Sequence, residues 1–204
     1  MNSPGLQATL FRNFTPFIIV SSLLQTGLIS VLVSNPAMRY KTPNNFIFLG
    51  IITFLQSITV GIFSSIVGPK VVCLGTMHTL ATFLAVTIYS FQDNPKFDLT
   101  PLGNILLTSL VSLLVGSLLN IFFKMPLIDN LISGGLAVLM ATYIAYDTQM
   151  IVGGKHKKYS YSPKEYILAT LNLYVDVMNL FIQILSILSK LERGKNRRKE
   201  NDEY

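Results

Sequence analysis

Residues 145–185 read AYDTQMIVGGKHKKYSYSPKEYILATLNLYVDVMNLFIQIL. Two apolar segments flank a polar connection, and each carries one acid, Asp147 in the first and Asp176 in the second. A carboxylate at the centre of a membrane helix costs roughly 2.5–3.5 kcal/mol on insertion scales, so an acid in that position is a functional candidate by default. The second segment also has a polar stripe. Asn172, Asp176, Asn179, Gln183, Ser186 and Lys190 follow one another at alternating steps of four and three, and at about 100° per residue they share one helix face. Such a face must look into a bundle or a water-filled cavity rather than at lipid.

The rest of the chain agrees with a membrane reading. Of 204 residues, 50% are hydrophobic and 13% charged, against about 25% charged in soluble domains, and mean hydropathy is +0.51. Six apolar segments, each near the ~20 residues that span a bilayer, fall at Pro16–Ser34, Asn45–Val67, Val71–Phe91, Pro101–Phe123, Leu127–Val152 and Pro163–Leu191. The expected fold is therefore all-α: a polytopic membrane helix bundle over residues 1–191, with the last segment central, followed by a disordered, mixed-charge tail over 192–204. No cleavable signal peptide is evident before Asn13.

The formal charge of +6 sits in loops and tail. It suits contact with the anionic head groups of a lipid bilayer and not nucleic acid, because no basic patch is interleaved with exposed aromatics. Cys73 is alone in an apolar segment and offers neither a disulfide nor a metal set. His78 and His156 lack a second ligand at suitable spacing. Ser162-Pro163-Lys164-Glu165 has the form of a capping box with proline at the first helical position, which fixes the start of the last helix. Ser133, Ala137, Ala141 and Ala145, four apart, let a neighbouring helix approach closely. Asp147 lies about five residues from the end of its segment and Asp176 thirteen from Pro163, so the acids share a level only if the first turns near Tyr166 protrude.

Basic residues give the orientation. Arg39, Lys41, Lys96, Lys155, Lys157, Lys158 and Lys164 fall on one side, and Arg12, Lys70 and Lys124 on the other. The first set is expected to be cytosolic, which places the loop from Gly153 to Ser162 there. The tail, with six basic residues from Lys190 to Lys199, favours a last segment that dips in and returns. Its length favours full crossing, and crossing is the expectation carried forward.

YDTQ, SPKEYI and LNLYVDVMNLF, in that order over about forty residues, closely resemble the C-terminal signature of the transmembrane Bax-inhibitor-motif (lifeguard) family. FQDNPKFDLTPLG resembles a second landmark of that family, and the likeness runs from about Arg39 to Lys190. It implies a helix bundle with a central last helix. Aligned on MRYKTPNNFIFLG, the chain has one helix upstream where the family has two, so a first helix is expected to be missing. Gln56 stands where relatives often carry an acid.

Two carboxyls held close share a proton and titrate in coupled steps. Such a pair can sense pH, relay protons or offer oxygen ligands to Ca²⁺, with Asn172 and Asn179 adding neutral oxygens. The bland alternative makes each Asp a structural hub held by Tyr143, Tyr146 or Asn side chains. The resemblance matches Asp147 and Asp176 to a proton-sensitive pair at the family's pore and Arg39 to its gate counter-charge. An intramembrane aspartyl protease would need GxGD where this chain has LYVD, and no phosphate loop or nucleophile elbow is present, so the chain is not expected to be an enzyme. The family implies a pH-sensitive Ca²⁺ leak pathway of Golgi or endoplasmic reticulum membranes that dampens apoptosis. Asp147 and Asp176 would be its sensor, gate and Ca²⁺ ligands, and Asn172, Asn179 and Gln183 would face the pore. No cofactor is expected beyond Ca²⁺ as transported ion. The alternative is a non-conducting scaffold that binds cell-death regulators or Ca²⁺ channels.

Overall fold

The computed structural model describes residues 4–92, 94–154 and 157–202, which excludes Lys155 and His156 of the last connection. Seven α-helices follow in order: α1 Pro4–Ser34, α2 Pro36–Tyr40, α3 Asn44–Val67, α4 Pro69–Ser90, α5 Gly103–Phe123, α6 Pro126–Val152 and α7 Tyr166–Asp202. Short 3-10 turns at Pro95–Phe97 and Thr100–Leu102 lead into α5, and one at Pro163–Glu165 leads into α7. There is no strand among the described residues.

Local chemistry sets the breaks. Asn35 Oδ1 accepts the Ala37 amide at 3.0 Å, and Pro36 opens α2 behind it. Gly68, at φ 88°, turns the chain from α3 into α4 in a conformation that side chains resist. Lys124 takes the left-handed conformation, φ 50°, and caps α5 through its amide on the Asn120 carbonyl. Ser162 and Glu165 form the expected capping box, the Glu165 carboxylate accepting the Ser162 amide at 2.9 Å.

Among the described residues six helices are long and apolar enough to cross a membrane: Asn13–Ser34, Asn44–Val67, Pro69–Ser90, Pro95–Phe123, Pro126–Val152 and Pro163–Asn196. In hydrocarbon only such internally bonded segments leave no backbone group unsatisfied, so a lipid bilayer is the environment of this fold. Helix α5 lies on the outside with Leu106 as its one buried residue, and its Ile105, Leu107, Leu118 and Phe122 are exposed as a lipid-facing surface requires.

Helix α7 is the centre. It packs against α3, α4 and α6, and no residue from Leu171 to Lys190 is exposed. Each apolar cluster takes a residue from it. Leu180 joins Leu139 and Ile144; Leu168 and Leu171 join Leu32 and Ile52; Leu185 joins Val67 and Val71.

Helix α7 continues past Leu191 to Asp202. Extending an established helix adds one bond per residue fixed, and Glu, Arg and Lys are good helix formers, so the packed segment carries the charged one with it.

Candidate functional site

Helices α6 and α7 run antiparallel in a single register. At one end the Asp147 and Asp176 carboxyls lie within hydrogen-bonding reach of each other. At the other, Lys190 Nζ donates to Ser133 Oγ at 2.7 Å and pairs with Asp129 at 2.7 Å. Ser133 and Asp147 are fourteen residues apart, as are Asp176 and Lys190, so both contacts follow from one alignment about 21 Å long. Ala137, between Ser133 and Ile144 on α6, packs against the cluster that Leu180 of α7 joins, and its small side chain suits close helix approach. Ala145 is buried on the other side, where its carbonyl accepts from Ser90 of α4 at 3.2 Å.

Asp147 is 3% exposed and Asp176 half-buried. Tyr166 is exposed, yet Ile167, Leu168 and Leu171 behind it are buried, covered by the ends of α1 and α3 through Leu32 and Ile52. Helix α7 is also uninterrupted from Tyr166 onward. A helix without a break over Tyr166–Asp202 has the form that full crossing needs.

A third side chain completes the pair. The Tyr161 hydroxyl, from the connection before α7, donates to Asp147 Oδ1 at 3.4 Å and accepts from Asn172 Nδ2 at 2.9 Å. Burial pushes the Tyr161 phenol above its ordinary value, and the charge of Asp147 adds to the shift. Tyr143, a turn before Asp147 on α6, lies within electrostatic range of both acids.

The connection bearing Tyr161 is itself anchored. The Tyr161 amide donates to the Met150 carbonyl at 2.9 Å, the Lys158 amide to Asp98 Oδ2 at 3.0 Å and the Tyr159 amide to Thr100 Oγ1 at 3.1 Å. Asp98 and Thr100 belong to the segment between α4 and α5, which Gln149 fastens in turn. Fully buried, Gln149 accepts the Leu99 amide at 2.7 Å and donates to the Phe97 carbonyl at 3.1 Å. FQDNPKFDLTPLG thus serves as a clasp between connections. Its Gly103 is required by close approach, since a Cβ there would stand 2.9 Å from the Tyr146 hydroxyl.

Arg39 is not brought to the pair. Its guanidinium reaches Glu165 at 3.7 Å and stacks 4.7 Å over the Tyr40 ring, and Tyr40 also donates to Glu165 at 3.3 Å. Among the described residues Arg39's ion-pair partner is Glu165 and not Asp147. Asn179 and Gln183 lie half-buried on α7 beyond Asp176. Gln56 is 3% exposed and its Nε2 has no partner. No three of His, Cys, Asp and Glu converge as a metal set among the described residues, so an ion at the pair would draw its other ligands from Asn, Tyr or backbone oxygens.

The family described as "Inhibitor of apoptosis-promoting Bax1" matches residues 4–193. The chain belongs to that family. It is 33% identical to Bax inhibitor 1 of Schizosaccharomyces pombe over 181 residues, 88% of this chain and 64% of that protein. It is 36% identical to Protein LIFEGUARD 4 of Arabidopsis thaliana over 192 residues, 93% of this chain and 70% of the relative. The Golgi anti-apoptotic protein of Vaccinia virus (strain Lister) is 33% identical over 178 residues, 87% of this chain and 71% of the relative. The chain thus spans about two thirds of the length of these relatives.

Sequence reasoning missed Tyr161 and Gln149. The signal available for Gln149 was a polar residue in an apolar segment two places after Asp147. Tyr161 carried none, being one of two tyrosines, with Tyr159, in the polar connection before α7.

Proposed function

We propose that this chain is a pH-sensitive Ca²⁺ leak pathway of an intracellular membrane, Golgi or endoplasmic reticulum, and that it restrains apoptosis by lowering stored Ca²⁺. The observation that carries the reading is the carboxyl pair Asp147–Asp176 set between two packed membrane helices. Buried acids at membrane depth are retained where protons or ions act on them. One proton more or less switches this pair between a hydrogen bond and a like-charge contact, and the α6–α7 interface feels that switch directly. When ionised, the pair offers hard oxygen ligands suited to Ca²⁺. Asn172 adds a neutral oxygen beside it, and Asn179 and Gln183 continue the polar face. The names of the yeast and viral relatives support the link to cell death, and the viral name supports a Golgi setting. No enzymatic role is proposed.

The test is Ca²⁺ flux by the purified full chain in dye-loaded liposomes. Flux that varies between about pH 6 and 8 is expected, the range in which a coupled carboxyl pair is useful to a cell. No flux above empty liposomes at any pH would sink the reading and leave a scaffold for cell-death regulators or Ca²⁺ channels.

A further inference from the structure

Tyr161, on the connection between α6 and α7, lies against the Asp147 side of the carboxyl pair. We infer that Tyr161 is a lid: its ring seals the Asp147–Asp176 pair from water on the connection side, and its hydroxyl fixes the ring in place. The inference rests on reading the pair as the functional site and names what controls access to it.

Three observations converge. First, the ring has an apolar seat. Tyr161 packs against the cluster of Leu32, Ile52, Leu168 and Leu171, which turns its faces towards hydrocarbon and its tip towards the acids. Second, the hydroxyl is satisfied on both sides, accepting from Asn172 at 2.9 Å and donating to Asp147 at 3.4 Å. The bonds are unequal. The bond to Asn172 is of ordinary length and the one to Asp147 is near the limit at which a hydrogen bond counts. Tyr161 is therefore held by α7 and rests lightly on Asp147, as a part that must let go of the acid would be.

Third, the lid is hinged on a closed circuit of bonds. Asp147 receives Tyr161; the backbone of residues 158–161 is fastened to Asp98, Thr100 and Met150; and the segment holding Asp98 is fastened to Gln149. Gln149 and Asp147 lie two residues apart on the last turns of α6, on opposite sides of the helix, so the circuit begins and ends at one place. A structural tyrosine needs no such backing. An aromatic that merely filled the apolar cluster would be as well served by phenylalanine, without a buried hydroxyl to satisfy.

Access to the acids can be read without any assumption about conduction. The full chain in liposomes is treated with a water-soluble carbodiimide and an amine nucleophile, and labelling of Asp147 and Asp176 is followed by mass spectrometry. Tyr161→Ala is expected to raise the labelling rate several-fold. Tyr161→Phe, which keeps the ring but loses the bonds to Asn172 and Asp147 that hold it, is expected to label faster than the parent and more slowly than Tyr161→Ala. Asp98→Ala, which frees the connection and leaves Tyr161 intact, is expected to label faster than the parent, and it guards against a Tyr161→Ala protein that has lost its fold. The lid is overturned if Tyr161→Ala labels no faster than the parent, or if Tyr161→Phe labels as fast as Tyr161→Ala. Ca²⁺ flux measured on the same vesicles is a separate readout. Faster labelling with no flux in any variant leaves the lid standing and removes the leak pathway.

Discussion

Lys190 closes on Asp129 at 2.7 Å, at the far end of the same antiparallel register that brings Asp147 to Asp176. It locks α7 to the start of α6 with the last member of the polar stripe. Asp129 remains half exposed, so solvent screens the attraction and its worth is modest.

Lys190→Ala is accordingly expected to destabilise the bundle by about 0.5–1 kcal/mol, a fall in melting temperature of about 2–4 °C at most. Asp129→Asn should cost a similar amount, and the double variant should cost less than the two singles added. Additive losses in detergent-solubilised protein would mean that the pair contributes nothing through its contact.

Gln149→Leu should be far more damaging, although it exchanges a polar residue for an apolar one inside a membrane helix. The substitution strands the part-buried Leu99 amide at about 1–3 kcal/mol, while the carbonyl of Phe97, an exposed residue, can turn to water. Hydrogen exchange at Leu99 is the specific readout. Faster exchange there, before any change in α3, is expected; an unchanged Leu99 amide would show that the clasp does not depend on Gln149.

The parts of this structure legible in the sequence are those with a period or a local rule. The stripe from Asn172 to Lys190 repeats at helical spacing, so its inward face follows. The Ser162–Glu165 capping box is a rule over four residues. The meeting of Asp147 with Asp176 follows from the expense of leaving either acid alone in a membrane. What was not legible is partnership between connections. Asp98 meets Lys158, and Gln149 meets Leu99, across 50 to 60 residues of chain with no periodicity to announce it. The partner of Arg39 was not legible for a different reason. Glu165 was already accounted for as a cap, yet its second oxygen was free to take the guanidinium, and a part-exposed carboxylate is a less costly partner for arginine than a buried one.

Tyr161 offers a titration outside the membrane helices. Its phenol is pushed above the ordinary value of 10.0 by burial first and by the Asp147 charge second. An acid whose folded value is raised keeps its full stabilising contribution below the unfolded value. That contribution is lost as pH rises above about 10, where the unfolded chain sheds the proton and the folded chain holds it. The phenolate absorbance of the parent protein minus that of Tyr161→Phe should therefore stay flat through pH 10 and rise only above it, with stability falling over the same interval. A difference band developing at or below pH 10 would show that Tyr161 is neither buried nor beside the acid.

The carboxyl pair itself carries the sharpest expectation. Asp147 and Asp176 within hydrogen-bonding reach titrate as one unit whose two steps belong to the pair. Replacing either by Asn leaves the other with a neutral partner that can still hydrogen-bond to it, so the fold should tolerate Asp147→Asn and Asp176→Asn individually. The coupling, however, is gone. In dye-loaded liposomes both variants should show Ca²⁺ flux that no longer changes between about pH 6 and 8, where the parent protein changes. Arg39→Gln provides the contrast. It unlinks Arg39 from Glu165 and loosens the start of α7 but touches neither acid, so the shape of the pH profile should survive even if the amount of flux does not. A flat profile in Arg39→Gln, or an unaltered one in both aspartate variants, would move the sensor away from Asp147 and Asp176 and leave them as the hydrogen bond that joins α6 to α7.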